Sequence, residues 1–153
     1  MDNQKEKLSN VLIGIAGVHF VVSQLSLKGL IALPTMRNTA GIDIIVSSPD
    51  GKNQAALQVK TSSKKVTFWP MSRPEKCLKG PRSYYIFLRY IPEDKRFEAF
   101  LEDGDKVTKQ VIQNLKDQKE KGRSEFSCWY LPSSEESIRV LREKWNSWKP
   151  PEN

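Results

Sequence analysis

An acid, an amide and a lysine stand on either side of a predicted turn, at Asp43, Gln58 and Lys60. A carboxylate, a side-chain carbonyl and a backbone carbonyl, here that of Val59, are the kinds of oxygen ligand that Mg²⁺ or Mn²⁺ prefers. In phosphodiester hydrolysis such a metal activates water, while a lysine orients the nucleophile or stabilises charge on the phosphate oxygens. These residues therefore suit phosphodiester cleavage, provided that the fold brings them together.

The residues around this group predict a β-hairpin. Asp50 and Gly51 readily supply the positive φ angles of a tight turn, and apolar positions alternate on both sides of them. With the turn centred there, the apolar pairs are Ile42 with Val59, Ile44 with Leu57, and Val46 with Ala55. The other face then carries Asp43 opposite Gln58, with Lys60 two residues further on. A β-bulge would alter this register.

A long helix is predicted before the hairpin, over residues 6–28, with Gly29 as its stop. Its predicted inward stripe consists of Leu8, Val11, Leu12, Ile15, Val18, Val22 and Leu25. His19 and Gln24 are the polar residues of this helix that could contribute to a site. A short strand at 30–33 follows, and then a polar loop at 35–40 that contains Arg37, a candidate phosphate contact.

The hairpin is followed by a basic segment. Lys64 and Lys65 suit a phosphate backbone, and Trp69 could stack on a base, although Phe68 and Trp69 could equally cap the core. The net charge of +7 also favours a polyanionic partner, because lysine and arginine neutralise phosphates. We therefore expect nucleic acid, DNA in particular, as the partner.

The second half predicts paired strands at 83–90 and 96–101, a helix from Asp103 or Asp105 to Lys121, a strand at 126–131 and a last helix capped by Ser133 or Ser134. The length of 153 residues fits one domain, which we place at 1–149, with a frayed tail at 150–153.

The apolar run from Val11 to Val22 superficially resembles a signal peptide. His19 interrupts it, no small-residue cleavage pattern follows it, and it is too short to span a bilayer. Cys77 and Cys128 are too few for a disulfide scaffold or a zinc site, so we expect two reduced thiols. These features predict a cytoplasmic protein without a membrane segment.

The segments Gly41-Ile42-Asp43 and Gln58-Val59-Lys60-Thr61, preceded by a helix that ends in Leu27-Lys28-Gly29-Leu30, resemble the PD-(D/E)XK nuclease superfamily. The resemblance implies a restriction-endonuclease-like α+β fold, with an αβββαβ core and a mixed central sheet flanked by helices. It also implies a metal site formed by Asp43, Gln58 and the Val59 carbonyl, a catalytic Lys60, and a nucleic-acid substrate.

Two features of the sequence depart from the pattern of that superfamily. Gln58 stands where Glu or Asp is usual, and the first helix offers His19 and Gln24 in place of a metal-binding glutamate, so a further acid such as Glu75 or Glu102 would be needed. Two alternatives therefore remain open: a catalytically degenerate member that binds nucleic acid or a protein, and a purely structural Asp43–Lys60 ion pair. A homodimer is also compatible with the sequence, because cutting both strands needs two sites.

Overall fold

The computed structural model describes residues 8–36, 41–63 and 65–152. Its three helices are α1 (Asn10–Leu27), α2 (Gly104–Glu120) and α3 (Glu135–Ser147). Its strands are β1 (Ile31–Pro34), β2 (Ile44–Ser47), β3 (Gln54–Ser62), β4 (Phe68–Pro70), β5 (Ser83–Ile91), β6 (Arg96–Asp103) and β7 (Cys128–Tyr130). A 3₁₀ turn at Pro74–Lys76 precedes β5.

Five strands form a mixed sheet in the order β1-β2-β3-β5-β6, in which only β3 and β5 run parallel. The expected α+β fold, with helices flanking a mixed sheet, is present. The element order departs from a simple αβββαβ pattern at one point. The connection from β3 to its parallel partner contains β4 and the 3₁₀ turn, and α2 comes only after β6. Strands β4 and β7 form a separate two-stranded sheet.

The two faces of the sheet bury separate apolar clusters. One face packs against α1 and the end of α3, and it contains Ile44, Val46 and Leu57, all fully buried. The other packs against α2 and includes Phe87 and Phe100. Because successive residues of a strand point to opposite faces, the polar positions of β3 lie on the α2 side of the sheet.

Helix α1 begins and ends as its sequence indicates. The Ser9 hydroxyl accepts a hydrogen bond from the Leu12 amide at 3.2 Å, which caps the first turn. At the other end Gly29 has a φ of 79°, and the Leu30 amide donates to the Leu25 carbonyl at 3.1 Å. This arrangement is a glycine-terminated Schellman motif.

The predicted inward stripe of α1 is correct only in its second half. Leu25 is fully buried, and Val18 and Val22 pack against the core, whereas Leu8, Val11, Leu12 and Ile15 face outward. The buried residues of the helix are Ile13, Gly17, Val21 and Leu25. The helix is apolar on nearly every side, so periodicity could not select the inner face. A Cβ at Gly17 would overlap the Thr61 side chain, so this glycine allows α1 to lie close to β3. By length and composition alone, α1 could also cross a membrane.

The second half follows its prediction closely. Gly122, with a φ of 64°, ends the turn after α2, and the Ser134 hydroxyl caps α3 by accepting from the Ser137 amide at 3.2 Å.

The expectation of a frayed tail needs correction for residues 150–152. Pro150 is buried, and Arg82 donates to the Glu152 carbonyl at 3.4 Å, so this segment packs on the rest of the chain.

Candidate active site

The β2–β3 hairpin has the predicted register. Ile44 pairs with Leu57 and Val46 with Ala55, and all four side chains are buried on the α1 face. Gly51 has a φ of 76° in the turn, where the Asp50 carboxylate accepts hydrogen bonds from the Ser48 hydroxyl at 2.6 Å and the Lys52 amide at 3.2 Å.

The regular ladder between β2 and β3 stops at Ile44, so the predicted Ile42–Val59 pair does not form. The Asp43 amide donates to the carbonyl of Leu57 at 2.9 Å, although Leu57 already pairs with Ile44. Two consecutive residues facing one partner are characteristic of a bulge. The Asp43 carboxylate then accepts the Val59 amide at 2.7 Å through Oδ2. Asp43 is therefore held against the backbone of β3 at the point where the strands separate.

Thr35 holds this end of β2 from its other side. Its amide donates to the Asp43 carbonyl at 2.9 Å, and its hydroxyl donates to the Ile42 carbonyl at 2.5 Å. The sequence did not single out Thr35, because its role depends on pairing between β1 and β2.

Lys60 is half-buried beside Asp43. Burial lowers the pKa of its ammonium, and the nearby Asp43 carboxylate acts in the opposite direction. Within the described ranges Lys60 forms no ion pair. Gln58 shares the Lys60 face of β3 and is also partly accessible. The structure thus places the Asp43 carboxylate near enough to the Lys60 ammonium to influence its pKa, with Gln58 on the same strand as Lys60.

Two further residues adjoin the site. Tyr85 lies beside Gln58 in the parallel β3–β5 register, and its hydroxyl accepts the Leu78 amide at 2.7 Å. Burial raises the pKa of the Tyr85 phenol and that of the Cys77 thiol, and Cys77 is an electrostatic neighbour of Lys60. Sequence reasoning missed both, because parallel pairing of β3 with β5 has no local signature.

The two polar residues proposed from the first helix lie in different places. His19 is exposed and lines a cavity of about 230 Å³ together with Asp43. Gln24 lines another cavity, of about 400 Å³, with Arg96 and Trp145. Helix α1 therefore brings His19 to the cavity that Asp43 lines and turns Gln24 towards β6 and α3. The other α1 residues at the Asp43 cavity are Ile15 and Val18.

The nucleic-acid contacts predicted after β3 need one correction. Trp69 is only 1% exposed, packs between Phe87 and Trp129, and donates its indole N–H to the Leu88 carbonyl at 3.1 Å. It is a core residue and has no free face for a base. Lys65 is exposed at the end of β3, whereas Arg37 and Lys64 lie outside the described residues.

The groups around Asp43 that could bind a metal ion carry little negative charge. The described part of the chain contains no group of three His, Cys, Asp or Glu side chains arranged to hold a metal ion. Of the two supplementary acids considered, Glu75 is exposed, and Glu102 binds Lys144 at 3.0 Å. The candidate oxygen ligands are the second oxygen of Asp43, the Gln58 amide carbonyl, and the Val59 carbonyl, which faces the same side of β3 as the Val59 amide.

The sequence matches no protein-family model and no curated protein. Its fold is similar to the solved structure of a bacterial homing endonuclease. The TM-score is 0.50 at 14% sequence identity, and the alignment covers 90% of this chain and 88% of that chain. This likeness extends over nearly the whole of both chains, and at this identity it concerns the fold alone. The protein therefore has a nuclease-like α+β fold.

Proposed function

We propose that this protein is a divalent-metal-dependent endonuclease of the PD-(D/E)XK type that hydrolyses phosphodiester bonds in nucleic acid, DNA in particular. One observation carries the proposal. The half-buried ammonium of Lys60 lies beside Asp43, without an ion-pair partner in the described ranges, at the point where β2 and β3 separate.

Burial of the Lys60 ammonium has an energetic cost. Withdrawing a cation from water is unfavourable unless a counter-charge compensates it, and burial lowers its pKa for this reason. Groups perturbed in this way, and lying near a specific charge partner, are concentrated in catalytic sites. A substrate phosphate would supply the missing negative charge. In this function Lys60 stabilises the phosphate oxygens or orients the attacking water.

The residues present fit a weakly held Mg²⁺ or Mn²⁺. Asp43 provides one free carboxylate oxygen, and Gln58 and Val59 provide neutral carbonyl oxygens, all of the type that these ions accept. A bound ion would polarise the phosphate and activate water. With a single formal negative charge, the protein would hold such an ion mainly when a substrate phosphate is also present. His19 would be the contributor from α1, since it lines a cavity together with Asp43.

Charge and fold support nucleic acid as the substrate. The chain carries a net charge of +7, Lys65 is exposed beyond the end of β3, and the structural neighbour is an endonuclease. In the same proposal, the phosphate backbone is bound by Lys65, Arg37 and Lys64.

The test is cleavage of single-stranded, duplex and branched DNA and of RNA, in Mg²⁺, in Mn²⁺ and in EDTA. We expect Asp43→Asn or Lys60→Ala to lower the rate by about 10²- to 10³-fold, the usual cost of losing one preorganised electrostatic group. Asp50→Asn is the matched control, because Asp50 lies in the same hairpin and its hydrogen bonds remain within the turn.

Cleavage that is unchanged in the Asp43 and Lys60 variants would exclude this site and indicate a contaminating nuclease. Complete inactivity of the wild-type protein on every substrate, with either metal, would also contradict the proposal.

A second candidate function is binding of nucleic acid without cleavage. The specific observation in its favour is the single acid at the site, together with the apolar Ile15 and Val18 at the α1 positions nearest Asp43. Here Lys65→Ala should weaken binding and flatten its salt dependence, whereas Asp43→Asn should leave binding unchanged. Measurement of binding isotherms at several salt concentrations, beside the cleavage assay, separates the two functions.

A further inference from the structure

The outward surface of the first half of α1 is apolar and exposed. Leu8, Val11, Leu12 and Ile15 are between 41% and 60% exposed, and Met36, which follows β1, is 87% exposed. We call these five residues the α1 face. The second half of α1 packs against the sheet, whereas the residues of this face at its start are exposed in the described chain.

The α1 face is continuous. Val11 and Ile15 are four residues apart and are therefore neighbours on the helix surface, with Leu12 beside them, and Leu8 directly precedes the N-cap Ser9. Ile15 and Met36 line the same cavity, which also contains Asp43. The patch thus extends from the start of α1 to the edge of the candidate active site.

The area of the patch is sufficient for a stable contact. Five aliphatic side chains at these exposures present on the order of 600 Å² of apolar surface, at the upper end of what a monomer usually exposes in one patch. A standard interface takes roughly 800 Å² from each partner, including a polar rim.

The charge distribution restricts the choice of partner. Residues 8–36 contain a single charged side chain, Lys28, in a protein in which 28% of residues are charged. Lys28 points away from the α1 face, because its ammonium donates to the Trp145 carbonyl at 2.5 Å and lies 4.2 Å from the Trp145 ring centre. Two molecules of net charge +7 repel each other, so their contact requires a surface without cations. The α1 face is such a surface.

We propose that the α1 face binds a second copy of this chain, with the two α1 helices packed against each other about a two-fold axis. A two-fold contact is self-complementary, so one apolar patch serves both partners. The polar residues 1–7 do not match an apolar surface, and a nucleic acid would require cations. A helix lying on a membrane surface usually carries a basic polar face, which α1 lacks. The proposed dimer does not depend on whether the protein cleaves nucleic acid.

The test is sedimentation velocity of the full-length protein over a range of micromolar concentrations. We expect the wild type to form a species of twice the 17.5 kDa chain mass. Leu12→Glu should weaken the dimer by about tenfold or more, because it buries a charge in the centre of the contact. Val140→Glu is the matched control, since Val140 is 53% exposed on α3, away from the α1 face. It should leave the dimer intact.

Circular dichroism checks that each variant is folded, and Val11→Lys provides a second, independent change at the same face. A wild-type protein that is monomeric at every concentration would overturn the proposal. Equal weakening by Val140→Glu would do the same. Binding of a monomer to phosphatidylcholine vesicles, abolished by Leu12→Glu, would assign the face to a lipid surface instead.

Discussion

Lys60 and Lys144 are both partly buried lysines, but their surroundings differ. Lys144 donates to Glu102 at 3.0 Å and to Asp103 at 2.7 Å. Burial would lower its pKa, yet these two carboxylates outweigh burial and raise it. Lys60 has a carboxylate nearby without an ion pair in the described chain, and burial lowers its pKa. The protein therefore compensates one buried ammonium fully and leaves the other short of negative charge.

This difference separates a structural lysine from a candidate functional one. Lys144 joins α3 to the start of α2, and its counter-charges are part of the fold. Among the described residues none supplies Lys60 with an ion-pair partner, and under the proposed function a substrate phosphate would provide that charge. Replacement by methionine is therefore expected to destabilise the folded protein at Lys144 and to stabilise it at Lys60.

The largest effect is expected from Lys144→Met. Removal of this ammonium leaves Glu102 and Asp103 with only the longer contacts to the exposed Lys106, so the free energy of unfolding should fall by about 2 kcal/mol. Urea denaturation measures the change. Lys106→Met is the control, because Lys106 contacts the same carboxylates at 3.9 and 3.4 Å but is mostly exposed. A loss as large for Lys106→Met would show that burial of Lys144 is not decisive.

A smaller effect is expected in the pH dependence of the same pair. Burial would raise the pKa of Asp103, but its hydrogen bond and attraction to Lys144 lower it below 3.8. The carboxylate therefore contributes stability that is present above its ordinary pKa and is lost as the pH falls through the lowered value. Urea denaturation between about pH 6 and about pH 3 should show wild type and Lys144→Met converging at acid pH. A constant difference would contradict this assignment.

The smallest effect, of opposite sign, is expected for Lys60→Met. Because the pKa of Lys60 is lowered in the folded state, its charged form disfavours folding at neutral pH, and replacement should raise Tm by about 3 °C. Under the proposed function it should also slow cleavage as Lys60→Ala does. The gain should disappear above pH 10.5, the ordinary pKa of lysine, where the amine is neutral in both states. Thermal unfolding monitored by circular dichroism tests this, and a fall in Tm would indicate a structural ion pair.

The sequence predicted the hairpin because its apolar alternation and its Asp50-Gly51 turn agree on one register. It could not predict that the ladder would stop at Ile44, because the Asp43 carboxylate competes with Ile42 for the Val59 amide. This competition depends on side-chain placement, and alternation carries no information about it. The sequence therefore indicates candidate site residues and the hairpin that carries them, but not the bulge and hydrogen bond that position Asp43.

The buried face was predicted better for the amphipathic helix α2 than for α1, which is apolar on nearly every side. Helix α2 buries Val107 and Val111, with Leu115 partly buried, as its periodicity predicts, although Ile112 on the same predicted face is 37% exposed. Helix α1 gives no such contrast, and Gly17 rather than a large residue sets its approach to the sheet. The lysines that precede Trp69 in the sequence suggested a contact with a ligand. In the structure Trp69 is instead held in the core by packing against Trp129 on β7, which is distant in the sequence.

The hydrogen bond between the Asp43 carboxylate and the Val59 amide makes this amide a spectroscopic reporter of the site. Its proton resonance depends on the charge and position of a single carboxylate, while the rest of β3 is fixed by its pairing with β5. Titration with Mg²⁺, Mn²⁺ or an oligonucleotide can therefore be followed at one backbone nitrogen. Ligand occupancy could then be followed at this amide in Lys60→Met as well as in the wild type, without a measurement of cleavage.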